Sequence, residues 1–254
     1  MSINELLTDF ETLKKIRRSS SVGLLEQLGD FSNASLRVLH KEADTHPIPW
    51  KGKGDKRYSV FTPKGKLSPI SRAVRHDYFI YDVDEFRRQW DVMLEHFHDG
   101  LGTGRLIGLQ SQQVNSICYT AVMSWAAAVD LFNRSQGLGG TYFEILTGAL
   151  VSGLSGRPVG GDIMLPLPGG KRETIKVDLT FEAADDRPCL VIPTKISTRE
   201  RISQAYVHAR ILETARPGGY RTILCVANET NSFKEKGQDS RIGVYLKETL
   251  VPGT

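Results

Sequence analysis

Asp178, Lys195 and the triplet Arg199, Glu200, Arg201 are residues whose types and order could do chemistry together. A carboxylate is a hard oxygen ligand for a divalent cation, and an ammonium group can hold a water and offset charge that develops on a nearby oxygen. Arginine forks make paired hydrogen bonds to guanine O6 and N7. The first turn of a helix disfavours a cation by roughly 0.3–1 kcal/mol. Two arginines predicted to lie there point to an acidic or guanine-bearing partner.

Three elements must bring these groups together. In "ETIKVDLTF", Ile175, Val177, Leu179 and Phe181 alternate with Lys176, Asp178 and Thr180, which predicts one half-buried strand carrying the acid. The apolar run from Cys189 to Ile192 predicts a buried strand ending at Thr194 and Lys195. A tight link makes the two strands antiparallel neighbours, so Asp178 and Lys195 meet near one sheet edge. Ser197 as N-cap, Glu200 three residues on, and Ile202, Ala205, Ala209 and Leu212 at helical spacing predict a helix that follows at once. "ARPGGY" stops it, and "RTILCVANE" reads as one continuous strand, so the unit predicts a right-handed parallel crossover. Upstream, a hairpin should turn at Pro168 to Lys171.

An acid on one strand, a lysine on the next and Arg-Glu-Arg starting four residues later resemble the type II restriction endonucleases of the PD-(D/E)xK superfamily. The resemblance is to the branch that reads CC and GG halves through an Arg-(Asp/Glu)-Arg motif, and it covers Glu144 to Leu212. It implies an α/β fold with a restriction-endonuclease-like core: a central mixed β-sheet flanked by helices, with a helical N-terminal region. It further implies Mg²⁺-dependent cleavage of double-stranded DNA at a palindrome, CCGG-like or interrupted, by a homodimer or higher oligomer of a restriction-modification system. Asp178 would be the metal-binding acid, Lys195 the catalytic lysine, and Arg199, Glu200 and Arg201 the base-reading residues.

The chain departs from that pattern in three places. Val177 replaces the proline before the acid, and Pro193 replaces the acid two residues before the lysine. The helical positions from which related enzymes supply a glutamate include Gln204 and His208. The second metal-binding carboxylate is therefore open, with Glu144 on an upstream helix the preferred candidate and Glu213 about a turn too far along. Two rival readings are a structure-specific repair nuclease on the same fold and a non-catalytic DNA-binding protein in which Pro193 records a lost metal site.

At 254 residues and 40% hydrophobic content, with no low-complexity linker, the chain reads as a single domain over 1–254, which the resemblance makes a nuclease domain. Its helical and basic-loop part runs to 110, and its catalytic and recognition core from 111. A net charge of +4 permits a polyanionic partner without demanding one. Cys118, Cys189 and Cys225 lie in apolar runs without metal-ligand spacing, as reduced core thiols of a cytoplasmic protein do. The resemblance adds a bacterial or archaeal source. An acidic, amphipathic beginning is not a signal or transit peptide, and no run of about eighteen apolar residues offers a membrane span.

The N-terminal pattern predicts short helices from Ile3 to about His40. Between Lys51 and Arg75, eight lysines or arginines interleave with aromatic residues. One reading is a flexible basic loop whose Lys51, Lys53, Lys56, Arg57, Lys64 and Lys66 touch phosphates; the other is a hairpin turning at Pro63-Lys64-Gly65. Phe86, Trp90, Met93, Leu94 and Phe97 mark an amphipathic helix ending at Gly100, on which His96 and His98 point apart. Val122, Trp125, Ala126 and Leu131 mark a central helix, packed on the sheet or at a subunit interface. "RSQGLGG" should break it and Thr141 start the next helix. That puts Glu144 in a first turn, where a capping box with Thr141 competes with a metal role.

Overall fold

The computed structural model describes residues 1–16, 21–48, 57–103, 105–106, 108–133, 135–166, 168–183, 187–197, 202–228, 230–234 and 242–246. Helix α1 (Ile3–Ile16) buries Leu6, Phe10 and Leu13. Helix α2 (Ser21–Glu42) is one long helix where short ones were predicted. Ser32 and Ser35 do not interrupt it, because their hydroxyls donate one turn back to the Leu28 and Phe31 carbonyls. Helix α3 (Val83–Asp99) starts where the Asp82 carboxylate accepts the Glu85 N–H and stops at Gly100, as predicted.

Helix α4 (Ser111–Phe132) is the axle of the helical part. Nearly every residue from Ile117 to Val129 is buried. That burial is supplied within the chain, by α1, α2, α3 and the following helix α5 (Gln136–Ser155). The rings of Phe10, Phe31, Trp125 and Tyr142 meet at their centre, with Phe31 edge-on to Trp125 at 4.9 Å.

The basic region turns out to hold regular strands. β1 (Ala43–Ile48), β2 (Tyr58–Pro63) and β3 (Val74–Arg75) form an antiparallel sheet, with Ala43 opposite Pro63 and Tyr58 opposite Arg75. Its turn is the predicted Pro63-Lys64-Gly65, closed by the Lys66 N–H on the Pro63 carbonyl at 2.9 Å, with Gly65 at φ 67°. Three ties fasten this sheet to α4. Arg72 grips both oxygens of Asp130 at 2.7 Å, the Arg75 N–H donates to the Tyr119 hydroxyl, and the Ile80 N–H donates to Thr120 Oγ1.

The second half supplies a mixed sheet. β7 (Leu179–Phe181) pairs with β8 (Cys189–Ile192) antiparallel, as predicted, and with β4 (Val159–Gly160) on its other side. β8 pairs with β10 (Tyr220–Thr222) and β9 (Thr194–Ser197) with β11 (Cys225–Asn228), both parallel across the intervening helix α6 (Ile202–Ala215). The predicted parallel unit is there, but both of its strands are interrupted. Pro193, without an N–H, divides β8 from β9, while its carbonyl still accepts from Cys225 at 2.9 Å. The predicted strand 221–229 is likewise divided, into β10 and β11. Ser197 is the last residue of β9, and among the described residues the helix begins at Ile202; the predicted cap and first turn over 198–201 lie outside the described residues. A last antiparallel hairpin joins β12 (Thr230–Lys234) to β13 (Ile242–Leu246).

Helix α5 also corrects the sequence reading. It begins at Gln136, so "GLGG" lies inside it. The Thr141 hydroxyl turns back to the Gly137 carbonyl, and Glu144 lies beyond the first turn, so the predicted capping box does not form there. Gly139 and Gly148 are kept small by packing, whereas a Cβ on Gly137 or Gly140 would meet open space. A Cβ on Gly139 would lie 2.9 Å from Ile196 Cδ1 and 3.0 Å from Ala126 Cβ, and one on Gly148 would lie 3.2 Å from Leu179. By doing without those atoms, α5 wedges between α4 and the sheet.

Candidate active site

Segments 159–166 and 172–181 run side by side as an antiparallel ribbon. β4 pairs with β7, and farther out β5 (Ile163–Pro166) pairs with β6 (Arg172–Ile175) around the predicted turn. Gly160 faces Thr180 and Ile163 faces Ile175, so two residues, 161–162, lie opposite four, 176–179. That excess breaks the strand predicted as continuous, and Asp178 sits in the resulting bend.

The ribbon also turns over at this point. Leu179 and Phe181 pack with Ile192 and with Val151 of α5. Ile175 and Val177 pack instead with Val191 and with Leu212 of α6. Val191 and Ile192 are successive strand residues and so face opposite sides of the sheet. The four side chains assigned to one face therefore divide between two.

The bend delivers Asp178 to the neighbouring strand. One of its oxygens, Oδ2, accepts both the Thr194 N–H at 2.7 Å and the Lys195 ammonium at 2.6 Å. The two side chains are 24% and 21% exposed, which leaves the pair within reach of solvent and ligand. A cavity of about 300 Å³ opens beside it, bounded by Glu144 and Gly148 of α5, Gly160 and Asp162 of the ribbon, and Val177 and Asp178 of the bend.

Glu144 reaches this cavity because α5 is fixed in azimuth. Tyr142, two residues earlier, is fully buried, with its hydroxyl at the Leu28 carbonyl and Ser32. Two residues is about 200° of helix, so Glu144 emerges on the side away from that core. Gly148, one turn on, lets the same face lie against Leu179.

Glu144, Asp162 and Asp178 thus line one space, and the Lys195 ammonium is bound to the Asp178 carboxylate. Among the described residues, no group of three or more His, Cys, Asp or Glu is gathered as a finished metal cage. Mg²⁺ does not require one: it is commonly bound through one or two carboxylates, with waters and substrate phosphate completing its octahedron. The donors of Asp178 and Glu144 fit that requirement.

Other candidates fall elsewhere. Gln204 and His208 lie on α6, exposed and half-buried, and neither lines the cavity. Glu213 accepts the Gly218 N–H at the helix end. Arg57, Lys64 and Lys66 are exposed, but β2 separates Arg57 from the lysine turn by roughly 20 Å of strand, so they do not form one patch. Arg199, Glu200, Arg201, Lys51, Lys53 and Lys56 lie outside the described residues. Asp162 was missed, and its place depends on ribbon register, which no local sequence signal marks.

No family model and no curated protein matches the chain. Among solved structures, the chain is similar to the type IIP restriction endonuclease Kpn2I, with a TM-score of 0.72 and 23% identity over 96% of this chain and 80% of that one. The likeness establishes a shared fold: the mixed α/β architecture described above is that of a restriction endonuclease.

Proposed function

We propose that this chain is a type II restriction endonuclease. It would hydrolyse double-stranded DNA with Mg²⁺ at a palindrome containing CC and GG halves. The observation that carries the reading is the convergence of the Lys195 ammonium and the Thr194 N–H on the Asp178 carboxylate, beside a cavity that Glu144 also lines. It occurs in a chain with a restriction-endonuclease fold.

In this reading Asp178 and Glu144 hold the cation. When bound, Mg²⁺ supplies polarisation of the phosphate and a lowered pKa for water. Lys195 orients the attacking water and offsets charge on the pentavalent transition state. The Thr194 N–H holds the Asp178 carboxylate in one orientation, so acid and amine stay aligned. Arg199 and Arg201 read guanines, and Glu200 accepts from cytosine N4. A palindrome calls for two copies related by a two-fold axis, or for a larger assembly of such dimers. The full chain works as one nuclease unit in the cytoplasm of a bacterium or archaeon.

The test is cleavage of a long DNA with Mg²⁺ and with chelator. The parent protein should give discrete, Mg²⁺-dependent fragments whose ends share CC and GG. Asp178→Ala should abolish them while leaving DNA binding intact, and undiminished cutting by that variant would sink the assignment.

A further inference from the structure

We propose that the β5–β6 hairpin is an arm that grips the DNA backbone beside the scissile phosphate, through Lys171, Arg172 and Lys176. The proposal rests on the DNA-cleaving reading above and adds to it a binding element outside the basic stretch considered so far.

The arm grows directly out of the candidate active site. Asp162 immediately precedes β5, and Lys176 stands between the end of β6 and the bend at Asp178. Its two faces differ in character. Ile163 and Leu165 are buried with Val191 and with Leu212 of α6, and Ile175 packs beside them. That contact fixes the arm to the body of the molecule.

Among the described residues, the other face has no such cover. Met164, 58% exposed, stands opposite Thr174, and Pro166 stands opposite Arg172. Arg172, Thr174 and Lys176 follow each other at strand spacing, so they share this outward side, and all three are exposed. Lys171, at the end of the turn, is exposed too. The Arg172 guanidinium lies across the face, 3.6 Å from Met164 Sδ. None of the three cations makes an ion pair with a described residue. Glu173, the one acid of β6, alternates to the opposite side.

Charge selects the occupant. Three acidic residues line the cavity, and among the described residues one ammonium, that of Lys195, is bound to one of them. An approaching phosphodiester chain would be repelled unless cations flanked the entrance. The outward face provides them along four residues of strand, roughly 13 Å. That is about four base-pair steps at 3.4 Å per charge on one strand. Contacts of this kind position the duplex and carry no base specificity.

The test uses the full chain and a short duplex in chelator, where cutting does not interfere, with the affinity followed over a range of salt. Lys171→Ala/Arg172→Ala/Lys176→Ala should lower the slope of log K against log salt by about 2 to 3, at roughly 0.9 per lost phosphate contact, equally on any sequence. Lys176→Gln alone should lower it by about 1, which keeps the test open if the triple variant folds poorly. Melting temperatures like the parent's would show that the face carries no packing. Slopes equal to the parent's in folded variants would overturn the arm. A parent with no salt-dependent binding at all would overturn the DNA reading, and the arm with it.

Discussion

Asp178 is held at one oxygen by two donors of different kinds, an ammonium at 2.6 Å and a main-chain N–H at 2.7 Å. The N–H belongs to the main chain of a strand, whereas the lysine is held there by its side chain alone. Lys195→Met should therefore leave the melting temperature near the parent's, because a partly exposed ion pair contributes about 1 kcal/mol or less. The same change should slow single-turnover cleavage by about 10²–10³, the usual cost of removing one transition-state donor. A slowed rate with a collapsed melting curve would instead make Lys195 a structural residue. The Asp178–Lys195 meeting was legible in the sequence because the acid precedes and the lysine follows two neighbouring strands, whose antiparallel pairing sets Leu179 opposite Ile192 and so brings the flanking residues together. Asp162 was not legible, because its position depends on two residues facing four across a ribbon.

At the scale of elements, α5 positions Glu144 by close approach. Gly139→Val would force branched carbons against Ile196 and Ala126, where even a single Cβ would come within 2.9 and 3.0 Å. The expected cost is about 1–3 kcal/mol in chemical denaturation. The displaced helix should also depress cleavage at temperatures where the variant remains folded. Wild-type activity in a destabilised Gly139→Val protein would separate α5 packing from the site. The sequence reading saw "GLGG" as a helix break because glycine lowers intrinsic helix propensity by about 1 kcal/mol. Packing of α5 between α4 and the sheet overrides that preference. Helices α3 and α4 were read correctly, since their apolar periods run long and uninterrupted. The strand carrying Asp178 was read as unbroken because alternation continues through a bend that reverses which side is buried. β1 was missed behind its proline and polar residues.

At the scale of the whole molecule, the strand sheet carries a titratable residue next to the segment that leads into α3. His76 follows β3, half-buried, with its ring against the Ser59 hydroxyl and Tyr81. Burial holds its pKa below the usual 6.5, Arg57 lowers it further, and Asp77 opposes both. The folded state therefore resists protonation more than the unfolded chain does. This contribution to stability is fully present above pH 6.5 and is lost as pH falls through the lowered native value. Melting temperature should drop between pH 7.5 and 5.5, and His76→Gln should flatten that drop. An equal pH dependence in both proteins would remove His76 from the account.

The ties from Arg72, Arg75 and Ile80 to α4 have one more consequence. The turn bearing Lys64 and Lys66 is linked to the cavity through packed solids: sheet on α4, α4 on α5, and α5 on the carboxylates. A tether would let those lysines wander over a range of distances. Here the separation behaves like the opening of a locked caliper, set by helix diameters and not by chain entropy, and it stays the same whatever lies between the jaws.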